Sequence, residues 1–239
     1  MNEHIRKLLP FTILFLLIGL VYFTNIHHDI SLDKLRKGQD RLIHIATTYP
    51  IFTHAAFILI YIVSVCLIIP DSTILTLIGG YIFPLPVAII YTVVAETVGA
   101  IIFFTVFHSA FTDSLIKRER PLFSKMRKKF HHHSASYLLF LRFSHVLPFW
   151  LTNVAAAYFK VSYSTFIWTT FVGVIPLAFL LSDAGHNLHY LFDTNPHLTL
   201  GDLFTTQMKL ILVALGIISL LPIIIQKFKK KKKRWTLRK

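Results

Sequence analysis

Residues 66–83 read Cys66-Leu67-Ile68-Ile69-Pro70-Asp71-Ser72-Thr73-Ile74-Leu75-Thr76-Leu77-Ile78-Gly79-Gly80-Tyr81-Ile82-Phe83, an apolar stretch broken by a proline and closed by two glycines. A second stretch, Phe140–Phe159, repeats the plan: Pro148-Phe149-Trp150, then Leu151–Val154, then Ala155-Ala156-Ala157-Tyr158-Phe159. In each, a proline precedes a cluster of small residues that is followed by an aromatic pair or near-pair. Neither is an ordinary membrane span, yet each sits beside one. Paired, Gly/Pro-interrupted apolar segments in two halves of a chain point to a transporter-like site near the bilayer midplane.

Composition agrees with a membrane setting. Of 239 residues 54% are hydrophobic, 22 are Phe and only 15% are charged, far from the balance of a soluble domain. The formal charge of +14 is concentrated, because Lys227, Lys229–Lys233, Arg234, Arg238 and Lys239 crowd one end. Such a tail suits anionic lipid headgroups on a cytoplasmic face, and equally a solvated tail without a specific ligand. Nucleic acid explains it less well, since the tail adjoins a span. The lone Cys66 has no partner with which to form an internal disulfide.

Five apolar runs are long enough to cross a bilayer as helices: Leu8–Ile26, Ile51–Ile69, Val87–Phe107, Tyr163–Leu181 and Phe204–Ile225. The first follows Arg6 and Lys7 but has no small-x-small cleavage site after it, which favours an anchor over a signal peptide. Ser31–Ala46 and Thr112–Phe130 pattern as amphipathic interfacial helices. The segment 182–204 carries Asp183, Asp193 and Asp202 without Lys or Arg, whereas 108–136 carries seven Lys/Arg. The positive-inside rule puts the former outside, and the latter and the tail inside. Phe140–Phe159 then dips in from the inner side and Cys66–Phe83 from the outer side. The expected fold is an all-α polytopic membrane protein with about five full transmembrane helices plus two opposed re-entrant helical hairpins in an inverted repeat. Its expected organisation is an N-terminal anchor and interfacial helix (1–50), a core with both hairpins (51–185), an outer loop and last span (186–226) and a polybasic tail (227–239).

Two charges lie at membrane depth. Arg142 sits two residues past Phe140 in an apolar run, and Glu96 lies mid-span. A charge near the bilayer centre costs about 2.5–3.5 kcal/mol or more, so each is expected to face a cavity or a partner. Arg142 either binds a lipid phosphate or snorkels to the inner headgroups. Glu96 either exchanges a proton or packs silently, protonated and hydrogen-bonded. Asp71 either takes up a proton or simply caps a helix that begins at Ser72. His145, beside Arg142, is a further phosphate or proton candidate with packing as its ordinary role. Gly79, Gly80, Gly99, Asn153, Ala156, Ala157, Gly173 and Pro176 are assigned to close packing and hairpin turns, and Pro70 and Pro148 to helix breaks. His131–His133 point different ways on a helix, so an interfacial basic patch is favoured over a metal tract.

Several of these segments resemble a known family. Pro70–Phe83, Glu96-Thr97-Val98-Gly99-Ala100, Leu141-Arg142-Phe143-Ser144-His145-Val146-Leu147-Pro148-Phe149, Asn153-Val154-Ala155-Ala156-Ala157 and Phe166–Pro176 are similar to the VTT-domain superfamily, the DedA-like or SNARE-associated Golgi protein group, in its Tvp-type branch. The resemblance covers roughly residues 60–185. It implies two opposed re-entrant hairpins, linked in different members to lipid scrambling, carrier-lipid recycling and proton-dependent transport. The chain departs from the family pattern at Asp71 (often Gly), Glu96 (a small residue) and Ala157 (Gly).

Together these readings predict transport of a lipid or amphiphile through a cavity between the hairpins. The alternatives are a proton-coupled carrier of a small solute and a membrane scaffold that transports nothing. No nucleophile elbow, phosphate loop or metal-ligand spacing is present in the sequence, so no enzyme, cofactor or metal is expected. The expected partners are membrane lipids, with a homo-oligomer left open. Minimal soluble extensions favour a bacterial inner membrane over a Golgi or ER membrane.

Overall fold

The computed structural model describes residues 35, 37–68, 72–117, 133–144, 146–188, 206 and 210–221, and among these there is no strand. Eight helices carry the description: α1 (Gln39–Thr48), α2 (Pro50–Cys66), α3 (Ser72–Ile82), α4 (Leu85–Lys117), α5 (Ser134–Ser144), α6 (Phe149–Tyr158), α7 (Tyr163–His186) and α8 (Leu210–Leu221). Two are long and apolar enough to cross a bilayer, Leu85–Ser109 with 25 residues and all of α7 with 24. At 1.5 Å per residue each spans about 36 Å, against roughly 30 Å of hydrocarbon. By the same rise α3 and α6, with 11 and 10 residues, cover about half that depth. The segment Asp40–Thr48 meets α2 at a 116° bend. α1 thus turns sharply away from the direction of α2, as an interfacial helix would.

Local chemistry explains the ends. Pro50 opens α2 at a position where a missing N–H costs nothing. Ser162 caps α7 by accepting the Thr165 N–H at 3.3 Å. α6 closes through Lys160 at φ 53°, with the Val161 N–H on the Ala156 carbonyl and the Lys160 N–H on Ala157, both at 3.0 Å. That is a Schellman motif, and its following residue, Val161, is buried as the motif favours. α2 ends similarly at Ile68, φ 56°, whose N–H reaches Val65. A β-branched residue in this region is strained by about 1–2 kcal/mol, which glycine would relieve.

The helices form two units, α2–α3–α4 and α5–α6–α7, that exchange their short members. α3 packs chiefly against α7 of the other unit, and α6 against α4. Within each unit the first helix lies on the last, α2 on α4 and α5 on α7, and α4 crosses α7 at the centre. Of two apolar clusters, the first is built within α2–α3–α4 and the second joins α4, through Ala100 and Phe104, to α5–α6–α7. One gathers Phe57, Tyr61, Val65, Leu75, Phe83, Ala88 and Ala95, the other Ala100, Phe104, Leu138, Ala156, Ala157, Val161 and Phe166. The outward face of α7, with Trp168, Phe171, Ile175 and Phe179 exposed, is the apolar surface expected against lipid.

The structure moves several expected features. Gly79 and Gly80 lie inside α3, and Ala155–Ala157 inside α6, so these small residues serve helix contact and not hairpin turns. A Cβ at Gly80 would stand 2.0 Å from the Ser182 carbonyl oxygen, and one at Gly185 would stand 2.2 Å from that of Leu77. α3 and α7 therefore touch backbone to backbone at two reciprocal glycines. Gly99 makes a similar contact on Val65 of α2. Pro176 lies within α7, which runs through it. Span boundaries shift as well: Val87–Phe107 extends to α4, Tyr163–Leu181 to α7, and Ile51–Ile69 shortens to α2. Leu8–Ile26, Pro70, Asp71, His131, His132, His145 and the tail 227–239 lie outside the described residues.

Candidate functional site

Arg142 occupies the last turn of α5 and is only 4% exposed. It does not snorkel. Its Nη2 donates to Asn153 Oδ1 of α6 at 2.6 Å and to Thr170 Oγ1 of α7 at 2.9 Å, while Asn153 and Thr170 are themselves buried. The guanidinium carbon lies 4.1 Å from the Phe149 ring centroid and 5.7 Å from that of Phe166, a cation–π setting on the face of Phe149. Gly173 makes this placement possible, since a Cβ there would come within 2.6 Å of Arg142 Cβ and 2.8 Å of Cγ. Two elements thus fix one side chain: α6 and α7 supply acceptors, and α7 also supplies the gap.

Two guanidinium nitrogens, Nε and Nη1, are buried with no hydrogen-bond partner among the described residues. A buried unpaired donor is costly, all the more on a cation. Beside Arg142 is a cavity of about 20 Å³ lined by Glu96, Leu147, Thr152, Val174 and Leu177 as well as by Arg142 and Gly173. That is room for about one water. Glu96 comes from α4, is half-buried, and lines the same cavity as Arg142. The two residues that stood out as charges in apolar sequence therefore meet at one cavity between the two units. Among the described residues no three His, Cys, Asp or Glu side chains are grouped to hold a metal ion.

Asn153 was expected to serve packing, and it turns out to hold Arg142. Thr170 and Phe149 carried no sequence signal of their own, because single Thr and Phe residues are ordinary in apolar helices. Asp71 and His145 lie outside the described residues, so the site consists of Arg142, Glu96, Asn153, Thr170, Phe149 and Gly173.

Residues 69–187 match the family model for the VTT domain. Over 178 residues the chain is 32% identical to the transmembrane protein 41 homolog of Caenorhabditis elegans, covering 71% of this chain and 68% of that protein. The chain belongs to the VTT-domain family. It is also 28% identical over 193 residues to transmembrane protein 41B of Xenopus tropicalis and of Mus musculus, matches that cover 77% of this chain. They reach 66% and 62% of those two proteins, so the match falls short of two thirds of their length. No solved structure matches the chain. The VTT domain takes in α3 to α7, both repeated short helices and every residue of the site, and with its apolar helices the chain is an integral membrane protein.

Proposed function

We propose that this VTT-domain protein moves a lipid or other amphiphile across the bilayer between its two units, with Arg142 holding the anionic headgroup. One observation carries the reading: a buried guanidinium, held by two neutral acceptors, leaves Nε and Nη1 unpaired beside a cavity. Such a fork matches the oxygens of a phosphate. The cavity is too small for a headgroup, so the described arrangement is the closed one and movement requires α4 and α7 to separate. In the same reading α3 and α6 are re-entrant, entering from opposite faces, beside about five full spans. Their half-span length and exchanged packing support this. Irregular backbone at that depth is tolerated where protein or a water-filled cavity covers it.

Glu96 at the same cavity favours a second reading, proton-coupled movement of a small solute. Purified protein in vesicles containing a fluorescent phospholipid separates them. Bleaching of inner-leaflet label by an impermeant reductant, without a pH gradient, is the result expected. Movement of solute only under a pH gradient would replace the lipid reading with the second. Neither movement would leave a scaffold.

Sidedness offers a separate check, motivated by the loop charges. With Cys66 replaced, a cysteine at Thr199 should label from outside and one at Ser124 only after the membrane is permeabilised. Labelling of both from one side would remove the opposed-entry scheme.

A further inference from the structure

The two units share more than packing. Counting from helix ends, Arg142 is third from the end of α5 and Ser64 is third from the end of α2. Asn153 is fifth in α6 and Thr76 fifth in α3. Thr170 is eighth in α7 and Thr92 eighth in α4. Every member of the Arg142 site that hydrogen-bonds thus has a polar counterpart in the other unit. All six are buried, none more than 4% exposed, and they make up most of the buried polar residues described.

The counterparts differ in one respect. Arg142 is long enough to bridge Asn153 and Thr170, whereas Ser64 is too short to do the same for Thr76 and Thr92. Ser64 Oγ and Thr92 Oγ1 are buried without any hydrogen-bond partner. Thr76 Oγ1 donates to the Ser72 carbonyl at 2.8 Å, which leaves it to accept from the Tyr61 hydroxyl at 3.0 Å. Tyr61, 1% exposed, stands three residues before Ser64 and so on the same face of α2. Buried hydroxyls left unpaired call for an occupant that can bond to them.

We infer that Ser64, Thr76 and Thr92 form a second, hydroxyl-lined headgroup subsite, closed in this state by the Tyr61–Thr76 bond. The inference rests on the lipid reading above. The Arg142 side receives the anionic headgroup, and on the other side the Ser64 and Thr92 hydroxyls donate hydrogen bonds to its phosphate and glycerol oxygens after crossing. An uncharged subsite releases what it binds more readily than a cation does, which suits the far end of a path.

The test uses Ser64→Cys in a Cys66→Ser chain, reconstituted in phosphatidylcholine vesicles and exposed to a small water-soluble methanethiosulfonate. Adding Tyr61→Phe should speed modification about tenfold, the effect of losing roughly one buried hydrogen bond. Soluble glycerophosphocholine should slow it again. Equal rates with and without Tyr61→Phe would overturn the subsite, and so would faster modification that glycerophosphocholine leaves unchanged. If Tyr61→Phe fails to fold, Thr76→Val removes the same bond from its other end. Lipid movement, measured in vesicles of the unaltered chain, is read separately. Its absence would overturn the transport reading, while the modification rates still decide whether the pocket exists.

Discussion

Gly80→Ala and Gly185→Ala are each expected to lose most of the folded protein, seen as aggregation in detergent and a large fall in Tm. At Gly80 the new methyl would lie 2.0 Å from a carbonyl oxygen of α7, and at Gly185 2.2 Å from one of α3. Neither obstacle is a side chain that can swing away, so the helices must part. Their separation would also open the buried cluster of Leu77 of α3 and Ala184 of α7 with Leu35 and Leu188. Overpacking commonly costs about 1–3 kcal/mol, and these two sites belong at the top of that range or beyond. Two controls make the reasoning specific. Gly79→Ala meets only the end of the Phe57 ring at 2.7 Å, which can tilt, so its cost should be smaller. Gly216→Ala approaches Ser144 Cβ at 3.3 Å, and the roughly 1 kcal/mol that alanine gains over glycine in a helix offsets that contact. A Gly80→Ala protein as stable as the parent would mean that α3 and α7 do not meet this way.

The same glycines show how far the sequence could be read. The repeat was visible because prolines and small residues are rare and conspicuous in apolar runs, and Pro148 does sit between α5 and α6. Close helix approach was one of the two roles read for the small residues, but which backbones they bring together was not visible. Gly79-Gly80 suggests a turn, but inside a membrane glycine serves equally to bring two backbones together, and only the partner helix reveals which. Arg142 and Glu96 were legible because a charge among apolar residues is costly and needs a reason. Their neighbours were not. Threonine in an apolar helix commonly satisfies itself on its own backbone, as Thr169 does on Thr165 at 2.6 Å, so Thr170 carries no mark of being different. Ser64, Thr76 and Thr92 were hidden for the same reason. A register comparison of the two units would have exposed them, since the equivalence lies in helix position and not in residue type.

Arg142→Ala is expected to abolish lipid movement at every pH while leaving a folded protein. Removing the side chain frees Asn153 and Thr170, two neutral groups that a water can satisfy, and takes away a buried charge that was itself costly. Arg142→Lys should restore part of the movement. Lysine keeps the charge but has neither the fork that reaches two acceptors from one nitrogen plane nor the flat face set against Phe149. Glu96 is expected to act differently. Glu96→Gln imitates a protonated carboxyl, so if Glu96 takes up a proton during the cycle, this change flattens the pH dependence of movement while the headgroup still binds. A competing account makes the two residues a buried ion pair with only a structural role. That account predicts that either single removal destabilises the fold, because a lone charge remains, and that Arg142→Met together with Glu96→Leu restores it, as apolar replacement of a buried pair often does. Tm and lipid movement of the two single variants and the double variant separate the accounts. The expected result is a double variant that folds and moves no lipid; one that is both stable and active would remove Arg142 and Glu96 from the mechanism together.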